Sequence, residues 1–392
     1  MVKGRNKYRI KDIFDLSAGG DVDKEHFSAY KTSEYRYPIY SNSLENHGLY
    51  GYTSNPKYSA DSVTITGRGS VGHAEYREDE FDAIIRLLVL KPKSNNVCAQ
   101  FVADYINNCV EFPLESTGVP QLTAPQIMNV ELELPQYDEQ KEVTTVLADV
   151  SSLIDMLDKQ IAKKKAIKQG TMQELLTGKR RLSGFSGEWE TKKLEDYCSL
   201  ITKQTGFDYS AYIKPALITR KMPNTFPMIQ TINFRGRKFT FETDYYIPQS
   251  VAIQFPNIVL NKKCVLFSIV GASVGNIGLY PGSITAFCGG AIGITRFRNE
   301  QDAEWVYNYM SSPDGQSQIQ YVTKGGAQAT VTIADIRNFK IPTPEKGERD
   351  AISGILGNMD HEIEVLEQKL AKYRQVKQGM MQQLLSGKIR LV

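Results

Sequence analysis

Glu139-Gln-Lys141 has the E-x-K spacing with which a nuclease, given a second acid, holds a divalent metal and activates water. Its counterpart 209 residues further on is Glu348-Arg-Asp350, and both strings open runs of helical periodicity, so they read as helix-end charge. Asn55-Pro-Lys-Tyr58 is the nearest approach to the Asn/Asp-Pro-Pro-Tyr/Phe loop of an amino-methyltransferase, but it lacks the second proline and sits among Tyr and Ser. A Gly-x-x-x-x-Gly-Lys-Ser/Thr phosphate loop does not occur, which argues against an ATP motor. His26, His47, His73 and His361 show no metal-ligand spacing, and the five cysteines (98, 109, 198, 264, 288) form no C-x-x-C pair. Gly69-Ser-Val-Gly72 and Gly271-Ala-Ser-Val-Gly275 are too short for dinucleotide sites and read as turns that let backbone approach a partner. The chain therefore reads as non-enzymatic, with no catalytic residue and no metal site.

What remains is binding chemistry. Basic side chains next to aromatics or glycines suit phosphate and base-edge contacts. Candidates in the first part of the chain are Arg36 beside Tyr37, Lys57 beside Tyr58, and Arg68 and Ser70 in Thr66-Gly-Arg-Gly-Ser70. In the second part they are Arg235, Arg237 and Lys238, Ser273 in its glycine-flanked turn, Lys324 beside Gly325-Gly326, and Gln328 as an adenine reader through a bidentate amide. Bulk charge does not help. The chain's net charge is only +3, residues 1–131 carry 14 basic and 17 acidic groups, and residues 185–340 carry 16 and 12. Any nucleic acid must be met by loops rather than by a basic face.

These loops hang on a repeat. Lys168-Gln-Gly-Thr-Met-Gln-Glu-Leu-Leu-Thr-Gly-Lys-Arg-Arg-Leu182 recurs at 377–391 with eleven of fifteen positions identical. Upstream of each copy, apolar residues alternate spacings of three and four. Leu147, Ile154, Leu157 and Ile161 lie in one seam, and Leu356, Ile363, Leu366 and Leu370 in the other. The pattern predicts two coiled-coil helices of about 38 residues, each ~55–60 Å long, that pair with one another. Pro135 and Pro344 precede the starts, Asp138 is the expected N-cap, and Gly178 and Gly387 are the expected C-terminal caps. Gln169, Met172, Gln173 and Leu176 recur as Gln378, Met381, Gln382 and Leu385 beyond the regular seam. They are either two copies of a docking surface for two copies of one partner, or a helix-end core.

The segments between the helices are rich in Gly, Tyr, Ser and Asn, with strand-like runs at 62–66 and 264–270 and helical ones at 98–109 and 302–310. The fold class is α+β, with variable domains at 1–131 and 185–340 separated by conserved helical segments at 132–184 and 341–392. Arg9-Ile-Lys-Asp-Ile13 and Lys193-Leu-Glu-Asp-Tyr197 are alike at the two domain entries. An odd, scattered cysteine set, no apolar run near the ~20 residues that span a bilayer, and a start that does not open a signal peptide lead us to expect a cytoplasmic protein without membrane contact.

Two variable domains between near-identical helices, with Pro38-Ile-Tyr-Ser-Asn42, Val265-Leu-Phe-Ser268 and Gly325-Gly-Ala-Gln328 leading into Ile341-Pro-Thr-Pro344, resemble the specificity subunit of type I restriction-modification systems. The resemblance runs the full length. It implies a pseudo-two-fold chain that imitates a homodimer, its helices an antiparallel coiled coil and its two target recognition domains each reading half of a bipartite, asymmetric double-stranded DNA target. It further implies a spacer set by helix length, docking of two modification (methyltransferase) subunits that flip and methylate adenine, and restriction/translocase subunits that add cleavage. S-adenosylmethionine, ATP and Mg2+ would sit on those partners, with no cofactor in this chain. Two other readings stay open: a DNA-modification enzyme with unrecognised motifs, which would bind adenosylmethionine by itself, and a coiled-coil scaffold that binds protein and retains no DNA.

Overall fold

The two apolar seams become long helices, Tyr137–Leu175 and Lys346–Met380, the second followed by a wide turn at Met381–Leu385. The structure is a computed structural model describing residues 4–112, 121–323 and 329–391. Asp138 lies inside the first turn of its helix instead of capping it, where its charge suits the positive end of the helix dipole. Gly178 and Gly387 take left-handed φ of +69° and +74° just past the helix ends. A Cβ at Gly387 would also stand 2.5 Å from Arg5 Nε, so the Arg5 side chain would have to shift. No helix among the described residues is long and apolar enough to cross a membrane.

The chain forms two compact units, Met1–Lys159 with Glu367–Val392, and Gln160–Leu366. Each long helix begins in one unit and ends in the other. In the first unit Arg374 pairs with Asp158 at 2.8 Å and Arg390 with Glu139 at 2.6 Å, so the helical stretches run antiparallel. In the second, Lys164 pairs with Glu362 at 2.6 Å, Lys168 with Asp360 at 2.5 Å and Arg181 with Glu348 at 2.7 Å, again antiparallel. Leu157, Ile161, Ile363 and Leu370 are buried on the paired faces, and Ile154 and Leu366 are half-buried. Leu147 and Leu356 are buried for a different reason than a coiled-coil seam requires: they pack into the domain cores.

Both domains use one frame. Each opens and closes on an antiparallel strand pair, Asn6–Arg9 with Glu131–Leu134 and Glu190–Lys193 with Lys340–Thr343. A one-turn helix follows each entry strand, its N-terminus tied by Asp12 accepting from Arg9 N (3.2 Å) or Asp196 from Lys193 N (2.9 Å). This is the physical basis of the likeness between the two entry motifs. A four-stranded antiparallel sheet comes next, in the order Phe14–Ala18, Leu88–Pro92, Ser62–Ile65, Ala74–Arg77 in the first domain. Its equivalent is Cys198–Lys203, Ile292–Phe297, Cys264–Ser268, Ile277–Tyr280. The second sheet of each domain holds a parallel pair, Tyr37–Tyr40 with Asp82–Ala83 and Thr225–Ile229 with Ala286–Cys288. The helices Ala99–Cys109 and Asp302–Met310 cover the first sheets, burying Phe101 and Ile106 in one domain and Trp305 and Val306 in the other.

Candidate nucleic-acid interface

In the first domain the strand ends around the parallel pair converge on one surface. Ile84 N donates to Tyr40 O at 2.9 Å, Ile85 N to Gly20 O at 2.9 Å and Arg86 N to Gly19 O at 3.0 Å. These bonds hold Ile85 and Arg86 at left-handed φ of +55° and +58° with both side chains exposed. A β-branched residue in that region is strained, and such strain persists where surrounding contacts over-determine it. Asn42 supplies one of those contacts: its Nδ2 donates to Ile85 O at 2.5 Å while its Oδ1 accepts from Gly67 N at 2.8 Å. Asn42 thereby ties the Gly67–Ser70 turn to the Ile85–Arg86 turn. Arg68 and Ser70 are exposed on this turn, Arg68 donating to Gln121 Oε1 at 3.4 Å and the Ser70 carbonyl accepting from Thr66 Oγ1. Arg86 had no signal in one dimension, because its exposure depends on a backbone conformation set by three separate strands.

The other candidates of the first domain sit differently. Arg36 lies 4.7 Å over the Tyr37 ring and is exposed at a cavity of about 680 Å³ shared with Tyr40, His47, Glu75 and Arg77. Lys57 is neutralised by the buried Asp82 at 3.1 Å. In the second domain Arg235 and Lys238 face each other across a two-residue hairpin and are both exposed. Arg237, between them in sequence, is half-buried. It pairs with Glu304 at 2.7 Å and Asp360 at 3.0 Å and lies 4.9 Å over the Tyr307 ring. This network removes Arg237 from the DNA-facing set, because its guanidinium already holds two carboxylates. Ser273 is half-buried in its turn, its carbonyl accepting from Asn276 N at 3.0 Å. Lys324 and Gln328 lie outside the described residues.

At the helix ends the apolar members of the repeat follow the second of the two readings, a helix-end core. Met172 and Leu176 are buried in the core of the second domain with Ile352, Leu356 and Trp305. Leu385 is buried in the core of the first with Val143, Leu147 and Phe101, and Met381 packs against it. Of the expected docking surface, only Gln169, Gln173, Gln378 and Gln382 stay exposed. The leading glutamates of the two equivalent strings, Glu348 and Glu139, tie the chain just beyond these helix ends by ion pairs. Arg181 holds Glu348 through Nε and Nη2 at 2.7 and 2.8 Å, and Trp189 Nε1 adds a third bond at 3.0 Å. Burial pushes the Glu348 carboxyl up, but the bonds from Arg181 and Trp189 outweigh it and hold the group below its ordinary value. Arg390 grips Glu139 in the same two-pronged way at 3.2 and 2.6 Å, and residues 181 and 390, like 139 and 348, are repeat equivalents.

Two domains on one frame, differing at the loops their strand ends expose and joined by repeated helices, define a duplicated two-domain architecture. The family model described as type I restriction modification DNA specificity domain matches residues 3–168 and 186–373, and the chain belongs to that family. It is 25% identical over 293 residues to the type I restriction enzyme MjaVIII specificity subunit of Methanocaldococcus jannaschii, covering 71% of this chain and 66%, just under two thirds, of that protein. In fold it is similar to the S subunit of a type I restriction-modification system from M. genitalium, with a TM-score of 0.66 at 14% identity over 97% of this chain and 96% of that one. A chain from a structure addressing complex assembly and conformational transition of the type I R-M system gives a TM-score of 0.55 at 15% identity, over 98% of both chains.

Proposed function

We propose that this chain is the DNA specificity subunit of a type I restriction-modification complex, with each domain reading one half of a bipartite, asymmetric target. The observation that carries the reading is the repetition itself. One frame occurs twice in one chain, while the exposed strand-end loops differ between the copies, as two different half-sites require. The chain supplies address and scaffold and performs no chemistry. Adenosylmethionine, ATP and Mg2+ belong to its partners, two modification subunits and the restriction/translocase subunits. The long helices set the spacer between the half-sites, and the exposed glutamines of the repeat, Gln169, Gln173, Gln378 and Gln382, contribute to docking of the modification subunits.

Since residues 1–131 carry a net charge of −3, their half-site is held by local contacts, with Arg68 and Arg86 as the positive groups of the Asn42-linked turns. Co-expression with the modification subunits, followed by methylation-sensitive long-read sequencing of host DNA, tests the proposal. The expected result is one bipartite motif, and exchanging residues 185–340 for those of another family member should change one half of it only. A motif that changed in both halves, or adenosylmethionine binding by the isolated chain, would overturn the reading.

A further inference from the structure

The two domains bring equivalent strand ends together and then differ in what they place there. In the first domain the spot is closed. A Cβ on Gly19 would stand 2.5 Å from the Ala83 carbonyl, and the Ile85–Arg86 turn donates both its N–H groups to Gly19 and Gly20. In the second domain the strand Cys198–Lys203 runs into Gln204, and Gly290-Ala291 takes the place of the strained turn, just after Gly289. Gly289 N still donates to Ile229 O at 2.8 Å, as Ile84 N does to Tyr40 O. The strand ends here open on a crevice of about 420 Å³ lined by Gln204, Gln230, Thr231, Ile232, Gly289 and Gly290.

Gln204 is the unusual member. The residue is 4% exposed, and neither its Oε1 nor its Nε2 finds a hydrogen-bond partner among the described residues. A buried amide with both ends unmet is disfavoured in a folded protein and points to a group that arrives from outside. Gly290 keeps the crevice side of the amide free of a crowding Cβ, which would lie 3.1 Å from Gln204 Oε1. A primary amide presents a donor and an acceptor side by side, the complement of the N6–H and N7 pair on the major-groove edge of adenine. The rim suits the same ligand. Lys203 is exposed beside Gln204 for a phosphate, and Ile232 is 74% exposed at the mouth, three residues ahead of Arg235 in the basic hairpin.

We propose that Gln204 reads an adenine edge in the half-site of the second domain. The proposal rests on the specificity-subunit reading and deepens it. The test uses the full chain assembled with its modification subunits and a set of duplexes carrying every single base-pair change in the methylated target. The wild-type complex should reject changes at one A·T position by ~5- to 150-fold. Q204L should bring that rejection within about two-fold while the other positions keep theirs. It should melt no lower than wild type, because the amide has no bond within the protein to lose. G290A, which crowds the amide without removing it, should weaken discrimination at the same position. Rejection unchanged at every position in both variants, or lost evenly at all positions, overturns the assignment and leaves the parent reading standing. A wild-type complex with no sequence preference overturns the parent reading itself.

Discussion

Leu176 and Leu385 hold the same place in the two copies of the helix-end sequence, and each is fully buried in the core of a different unit. Truncating either to Ala removes three buried carbons, about 2 kcal/mol of transfer free energy, and the cavity left behind raises the loss to ~3–5 kcal/mol. The chain carries its own reporter for telling the units apart. Both tryptophans, Trp189 and Trp305, lie in the second unit with ring centroids 5.7 Å apart. With a urea m-value of ~3 kcal/mol/M for a unit of this size, L176A should lower the tryptophan-fluorescence midpoint by about 1–1.7 M. L385A should leave that midpoint in place and instead lower hydrogen-exchange protection in the helix Ala99–Cys109, which shares its core. Protection changed by less than about 0.5 kcal/mol in L385A would mean that the helix end is not seated and is available to a partner. Equal midpoint shifts from both variants would refute the division into two units.

Within the helix pair, L157A should cost ~2–5 kcal/mol and L366A clearly less by chemical denaturation, because Leu157 is buried and Leu366 only half-buried. Near-zero effects at both would place the seam in solvent. Burial alone would raise Glu348 and Glu304, but Arg181 with Trp189, and Arg237 with Lys263, hold their carboxyls below the ordinary 4.5. Such groups stabilise the fold above the unfolded pKa, and that stability drains as pH falls below about 4.5 through the lowered folded value. E348Q should therefore flatten the acid limb of the fluorescence-detected stability curve below pH 4.5, and an unchanged slope would show that the pairing adds nothing. Asp302, raised by burial, works in the opposite sense and should remain visible in that variant. R235A should weaken DNA retention by the assembled complex with melting unchanged, whereas R237A should lower the melting temperature by breaking the Glu304–Asp360 network. Equal melting of the two variants would return Arg237 to the surface.

The repeat, the two long helices, the strand at 62–65 and the helix at 302–310 were all legible in one dimension. Each rests on local periodicity or on identity at a fixed offset, and neither needs a partner to be seen. The family resemblance came from the same source. What periodicity records is that a face is apolar, and it says nothing about what covers that face. Met172, Leu176 and Leu385 therefore read equally well as docking surface or core until the cores of the two units were seen to enclose them. Charge is ambiguous for the same reason. Arg237 resembles its neighbours Arg235 and Lys238 in sequence, yet its carboxylate partners stand 67 and 123 positions away, so only folding could assign it to the framework. Asn42 stood out only as the end of the Pro38-Ile-Tyr-Ser-Asn42 motif, and Gln204 carried no signal at all. One gains its role by bridging two turns and the other by being left unpaired at a strand end, and both conditions exist only once separate strands are brought to the same edge.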